Sequence, residues 1–229
     1  MSQPSPLPGR CARQIQLRWD PSTLGGKYNH LSHPAPSSSV YHSIESVVKE
    51  LSSCKSSSII APLPATSLHM TIFEGVSDQV RRPGYWPSDL ALDATQETCN
   101  EHFEKKLRKF SLGTEAAAPY RMVLKGIDIL DVGVAVRLDV ITPAEVERLR
   151  ALRDRLADEL KIRHPIHDEY GFHISMVYFL RHPNGEQKLD MESILKRHFE
   201  KMAKEIELGP PEFCLFGNMH AFDPVFYLS

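Results

Sequence analysis

The chain has 229 residues, 41% of them hydrophobic and 24% charged, with a formal net charge of −2. Such a balance suits a folded chain with one sizeable core and gives no basis for gripping long nucleic acid through phosphate neutralisation. No window approaches the roughly 18 to 20 apolar residues of a membrane span, and the N-terminal MSQPSPLPGR has no apolar h-region, so neither a membrane anchor nor a signal peptide is expected. The four cysteines, Cys11, Cys54, Cys99 and Cys214, lie far apart and form no CxxC pair, which argues for reduced thiols in an intracellular protein (cytoplasmic or nuclear) over a zinc knuckle or disulfide framework.

In chain order, residues 1 to about 12 are Pro- and Ser-rich, and a disordered N-terminus is expected over 1–18, leaving 19–229 as a single bilobed domain. From Trp19 to Ser39 the sequence reads as loop, with Gly25-Gly26 as a turn signal before Lys27 and Tyr28. Tyr41 to Leu51 carries Ile44, Val47, Val48 and Leu51 at helical spacing. A short strand is expected over Ser56–Ile60, then a second within SLHMTIF, Ser67 to Phe73. RRPGYWPSDL, Arg81 to Leu90, reads as a loop presenting two exposed aromatics, Tyr85 and Trp86. Gln96 to Phe110 reads as a helix ending in basic residues.

Two strands follow, Tyr120–Ile129 and Val134–Ile141, joined by a hairpin at Asp131-Val132-Gly133. Thr142 as N-cap, Pro143 at the first helical position and Glu145 at the third start a helix running to about Ile162. A loop with His164 and His167 leads into the strand FHISMVYF, Phe172 to Phe179. Asp190–Glu205 is expected to be helical, and Phe213–Phe216 and Met219–Phe222 to be closing strands.

A helix, a turn and a strand with the pattern H-x-S/T occur twice in this order. Residues i and i+2 of a strand share a face, so His69 projects with Thr71 and His173 with Ser175. Leu68, Met70 and Ile72, and in the second strand Phe172, Ile174 and Met176, face the other way and pack under helices. A regular strand also puts Phe73 on the His69 face, as a floor for a cleft, and Tyr178 on the face opposite His173. A third match, His30-Leu31-Ser32, falls in the stretch read as loop and is set aside.

Two histidines and two hydroxyls suit phosphodiester chemistry. An imidazole can hold or release a proton near neutral pH, so one ring can accept a proton from water while the other donates to a leaving ribose oxygen. The hydroxyls can donate to the non-bridging oxygens, where charge builds up. His164-Pro165-Ile166-His167 with Asp168 offers a rival, metal-dependent reading, but its spacing and loop setting are not those of a helical metal motif.

LHMTIF and FHISMV resemble the paired signatures of the two-histidine (2H) phosphoesterases, the superfamily of LigT-like RNA ligases and cyclic phosphodiesterases. The resemblance runs from about residue 40 onward. With GGKY and RRPGYWP flanking the first motif, it is nearest to a branch known only as a 2H phosphodiesterase of unknown substrate. It implies an α+β fold, bilobed, with two antiparallel sheets in pseudo-two-fold relation lining a central cleft and helices outside. It implies His69, Thr71, His173 and Ser175 as catalytic residues, with serine in place of the more frequent threonine at 175. Members act on 2′,3′-cyclic phosphates, ADP-ribose cyclic phosphate, 2′-5′ oligoadenylate or RNA 3′ ends, and the resemblance does not choose among them.

The expected function is thus a metal-independent phosphodiesterase without cofactor, acting as a monomer on a small nucleotide or an RNA 3′ end. Lys27, Tyr28, Phe73, Arg81, Tyr85 and Trp86 are the candidate substrate-binding residues, as cations for phosphate or aromatics for a base. A binding module for nucleotides or RNA ends on the same scaffold, without turnover, is the alternative.

Overall fold

Two antiparallel sheets meet edge to edge at a single pair of residues, Met70 and Ile174, one from each motif strand. The structure, a computed structural model, describes residues 27–32, 34, 38–77 and 79–229. Residues 1–18, expected to be disordered, and the Gly25-Gly26 turn lie outside the described residues. The described strands are β1 (Lys27–Ser32), β2 (Ile60–Pro62), β3 (Met70–Ser77), β4 (Tyr120–Ile129), β5 (Gly133–Val140), β6 (His173–Phe179), β7 (Glu205–Leu208), β8 (Glu212–Asn218) and β9 (Ala221–Tyr227). The described α-helices are α1 (Ser39–Leu51), α2 (Gln96–Leu107), α3 (Pro143–Leu160) and α4 (Gly185–Lys201).

One sheet runs β3-β1-β8-β9 outward from the junction and the other β6-β5-β4-β7, with the short β2 also pairing with β6. Apart from the short β2 between α1 and β3, the chain passes twice through the same order, β1-α1-β3-α2 and β5-α3-β6-α4. In each pass the motif strand is the innermost of its sheet. This is the α+β, bilobed arrangement expected from the sequence. Val136 and Leu138 of β5 are buried while Arg137 between them and Asp139 after them are exposed; Val134 and Ala135, nearer the start of the strand, are both buried.

Local chemistry accounts for most helix limits. Ser38 accepts from the Tyr41 amide at the start of α1, whose Val40, Ile44, Val47 and Leu51 are all buried. Each such side chain removed from water contributes about 1.5–3 kcal/mol. Thr142 caps α3 by accepting from the Glu145 amide, and Lys161 closes it in the left-handed region at φ 57°. α4 starts five residues before the expected Asp190, because Asn184 and Gln187 form a reciprocal capping box. It ends at Lys201, and the last of its expected residues, Glu205, instead begins β7, which pairs with β4. α2 stops at Leu107 rather than Phe110, after its buried Cys99, Phe103 and Leu107. Ser57–Ile59 is a 3₁₀ turn and the strand expected there starts only at Ile60.

The stretch read as loop contains β1. Lys27–Ser32 pairs with β3 on one side and β8 on the other, so His30-Leu31-Ser32 lies in a central strand after all. Tertiary pairing overrides a weak local signal here, as strand propensity is mostly a matter of neighbours. Cys54, Cys99 and Cys214 are thiols, with no disulfide among the described residues. No helix among the described residues is long and apolar enough to cross a membrane.

Candidate active site

The junction pair places the two motifs. Met70 and Ile174 are fully buried, so the residues flanking them turn to the opposite face. His69, immediately before β3, and Thr71 thus join His173, the first residue of β6, and Ser175 in one cavity of about 250 Å³. Leu68, Ile72, Phe172 and Met176 are buried on the other side, as the alternation predicts.

Beyond the motifs both strands bulge. Leu31 faces Thr71 and His30 faces Phe73, leaving Ile72 as an extra residue in β3. Ala135 faces Ser175 and Val134 faces Val177, leaving Met176 extra in β6. One extra residue inverts the facing of the residues that follow it, in β3 up to a second register shift between Glu74 and Ser77. The next cleft-facing positions are therefore Glu74 and Tyr178, each five residues after its histidine, and both line the cavity. This corrects two expectations. Phe73 does not floor the cleft: it is 1% exposed, part of the core, with its ring 6.0 Å from that of His167. Tyr178 shares the cleft face with His173 rather than opposing it.

Both histidines are held alike. Nδ1 of His69 lies 2.7 Å from the carbonyl oxygen of Ser67, and Nδ1 of His173 lies 3.0 Å from that of Gly171. A carbonyl can only accept, so Nδ1 carries the proton in each neutral ring and Nε2 is the basic atom. His69 is 7% exposed and meets Phe222 edge-on at 4.2 Å. Each motif hydroxyl has a tyrosine: Thr71 shares a hydrogen bond with Tyr170, and Ser175 with Tyr178. Burial raises both phenol pKa values, that of Tyr178 to about 12, so both rings keep their proton at neutral pH.

Arg153 braces the site from beneath. It is 1% exposed, its guanidinium lies 4.4 Å from the Tyr170 ring centre, and it donates to the carbonyls of Ile72 and His167. His164 lines the cavity, with Nε2 3.0 Å from the Gly75 carbonyl and its ring 4.9 Å from Tyr85.

The other candidate residues divide. Tyr85 lines the cavity. Trp86, expected to be exposed, is 1% exposed and donates from its indole nitrogen to the Ala91 carbonyl at 3.0 Å. Arg81 lies over the Trp86 ring at 4.3 Å and donates to the carbonyls of Leu92 and Ala94, so it holds its loop together and does not line the cavity. A large apolar surface beside a Pro/Gly loop was better buried than displayed. Lys27 and Tyr28 open β1 beside β3, and their side chains lie outside what the structure describes.

His164 and His167 do not act together. His167 is buried with Nε2 3.1 Å from Asp154, while His164 faces the cleft. Asp154, His167 and Asp168 do approach one another, but Arg163 already pairs with both carboxylates, at 2.9 and 2.6 Å. Glu74, His164 as a cavity residue, Tyr170 and Arg153 escaped the sequence reading. Glu74 could be found only by anticipating the bulge, and Tyr170 and Arg153 carry no local signal at all.

Residues 29–130, which contain the first motif but not the second, match the family model described as 2H-phosphodiest, a domain of unknown function (DUF1868). Among solved structures, the chain is similar to a conserved protein of unknown function from Agrobacterium tumefaciens, with 26% identity over 100% of this chain and 95% of that one and a TM-score of 0.82. A phosphoesterase structure aligns at 9% identity and TM-score 0.50, covering 90% of this chain and 99% of its own. LigT of E. coli aligns over 90% and 99% at 10% identity and TM-score 0.47. No curated protein matches in sequence. In its family-model match and in its fold, the chain resembles the 2H phosphoesterase superfamily.

Proposed function

We propose that the protein is a metal-independent phosphodiesterase that hydrolyses a cyclic (2′,3′-type) or 2′-linked phosphodiester of a nucleotide or RNA end. Resemblance to the 2H superfamily suggests phosphodiesterase activity. The observation that carries the finer reading is the matched pair of imidazoles, each with Nδ1 bound to a carbonyl two residues back and each beside a hydroxyl in the same cavity.

In this mechanism Nε2 of one histidine takes a proton from the attacking water. The other, protonated, delivers a proton from Nε2 to the leaving ribose oxygen. Each role is worth about 10²–10⁴ in rate. Thr71 and Ser175 donate to the two non-bridging oxygens, and Tyr170 and Tyr178 orient them. After the step the first imidazole is protonated and the second neutral, and exchange of one proton each with solvent returns both to their starting states.

The test is turnover on 2′,3′-cyclic nucleotides, 2′-5′ oligoadenylate and an RNA ending in a cyclic phosphate, for wild type, His69→Ala and His173→Ala, with and without EDTA. Turnover that survives EDTA and collapses in both variants is the expected result. Activity abolished by EDTA but retained in both variants would overturn the mechanism.

A further inference from the structure

The cavity wall past Thr71 is built from acceptors and apolar surface. Glu74 reaches it only because of the bulge at Ile72. Its Oε2 atom is buried and has no hydrogen-bond partner among the described residues. His164 stands opposite, with Nδ1 3.9 Å from that oxygen. With Nε2 of His164 facing the Gly75 carbonyl, the neutral form of the ring keeps its proton on Nε2 and turns a second acceptor, Nδ1, toward Glu74. In that form two acceptors face each other with no donor between them.

A desolvated acceptor without a partner costs about 1–3 kcal/mol, more for a charged one. The side chain of Glu74 as a whole is 33% exposed, so a ligand can reach it from the cleft, and Oε2 itself becomes accessible once the carboxylate turns. Val76, Val80 and the Tyr85 ring line the same cavity, and no lysine or arginine is among the described residues lining it. Such a wall does not receive another phosphate. It fits a flat ring whose edge presents donors.

We propose that Glu74, assisted by His164, reads the base of the substrate and selects guanine, resting on the reading of the cavity as a nucleotide phosphodiester site. Guanine alone among the four bases offers two neighbouring donors, N1–H and the N2 amino group, to a carboxylate. Adenine and cytosine offer one amino group beside a ring acceptor that would face Glu74, and uracil has one N–H between two carbonyls. The acidic, cation-free wall further favours a free mononucleotide over an RNA end, whose added phosphates it repels.

The test is equilibrium binding of guanosine, inosine, adenosine and cytidine 2′-monophosphates to wild type and to Glu74→Gln. An oligoribonucleotide ending in guanosine 2′-phosphate forms a second arm. The guanosine nucleotide should bind about 5- to 150-fold tighter than the inosine nucleotide, which lacks only the N2 amino group; that is the range for one bidentate pair. Glu74→Gln should erase that ratio, and the oligoribonucleotide should bind more weakly than the mononucleotide. The comparison of guanosine with inosine needs no variant, so a folding defect in Glu74→Gln cannot obscure it. Binding of all four to wild type within about twofold, or an unchanged ratio in folded Glu74→Gln, would overturn the proposal. A tighter oligoribonucleotide would overturn the choice of a free mononucleotide. Guanine-selective binding without turnover of any cyclic nucleotide would sink the catalytic reading and leave this one standing; turnover with no base preference would do the reverse.

Discussion

Nδ1 of His69 donates to the carbonyl oxygen of Ser67 at 2.7 Å, and the same bond recurs between His173 and Gly171 at 3.0 Å. The shared geometry follows from the chain's double pass through strand, helix and motif strand, with the motif strands meeting at Met70 and Ile174. Ser67 is itself held, because its hydroxyl donates to the Pro64 carbonyl at 2.8 Å. The backbone before each strand therefore sets the tautomer of the adjoining ring, as second partners do for functional histidines generally.

Imidazole nitrogen NMR of the neutral rings checks this directly. His69 and His173 should show the Nδ1–H tautomer, and His164 and His167, whose Nε2 atoms face a carbonyl and a carboxylate, should show Nε2–H. An Nε2–H signal for His69 or His173 would remove the basic atom from the proposed mechanism.

The tyrosines behind the motif hydroxyls should act through them. Tyr170→Phe and Tyr178→Phe each remove one hydrogen bond, worth about 0.5–1.5 kcal/mol, so kcat should fall about 2- to 13-fold with KM little changed. In Thr71→Val the Tyr170→Phe effect should vanish, and in Ser175→Ala so should that of Tyr178→Phe. Steady-state kinetics over the two double-mutant cycles decide it; additive losses would show that the tyrosines act elsewhere.

Adjacent aromatics should separate structure from binding. Trp86 is buried under Arg81, so Trp86→Ala should cost about 3–5 kcal/mol of stability in denaturant titration. Tyr85 is partly exposed at the cavity, so Tyr85→Ala should change stability by less than about 1 kcal/mol and raise KM. Equal losses of stability in the two variants would contradict the placement of the loop.

Burial, followed by the nearby charge of Arg153, holds the His167 pKa below its ordinary value. In the unfolded chain this imidazole titrates near 6.5. Below about that pH the unfolded state binds a proton that the folded state resists, so the His167 contribution to stability is present above pH ~6.5 and lost as pH falls through the lowered folded value. Melting curves at pH 5.5 and 7.5 should therefore show a smaller pH effect for His167→Gln than for wild type. An equal effect in both would mean that His167 does not titrate differently on folding.

Features set by neighbours in the chain are legible in the sequence. The cap of α3 needs only Thr142, Pro143 and Glu145, and the pairing of His69 with Thr71 and of His173 with Ser175 needs only the two-residue period of a strand. Asn184 escaped notice because HPNGE resembles a turn, although with Gln187 it makes a complete capping box. β1 escaped because its signal is weak and its partners, β3 and β8, stand some 40 and 180 residues away in the chain.

The sequence by itself determined the twice-occurring order of helix, turn and motif strand and the two H-x-S/T pairs, since both rest on periodicities a few residues long. Only the tertiary structure decided who else enters the cleft. A bulge arises where one strand must match the register of another, so the pairing of β3 with β1 and of β6 with β5 turned Phe73 into the core and brought Glu74 and Tyr178 to the cavity. Packing of α3 beneath the sheet likewise brought Arg153 against Tyr170, and the turn after α3 brought His164 to Glu74, contacts that no local pattern encodes.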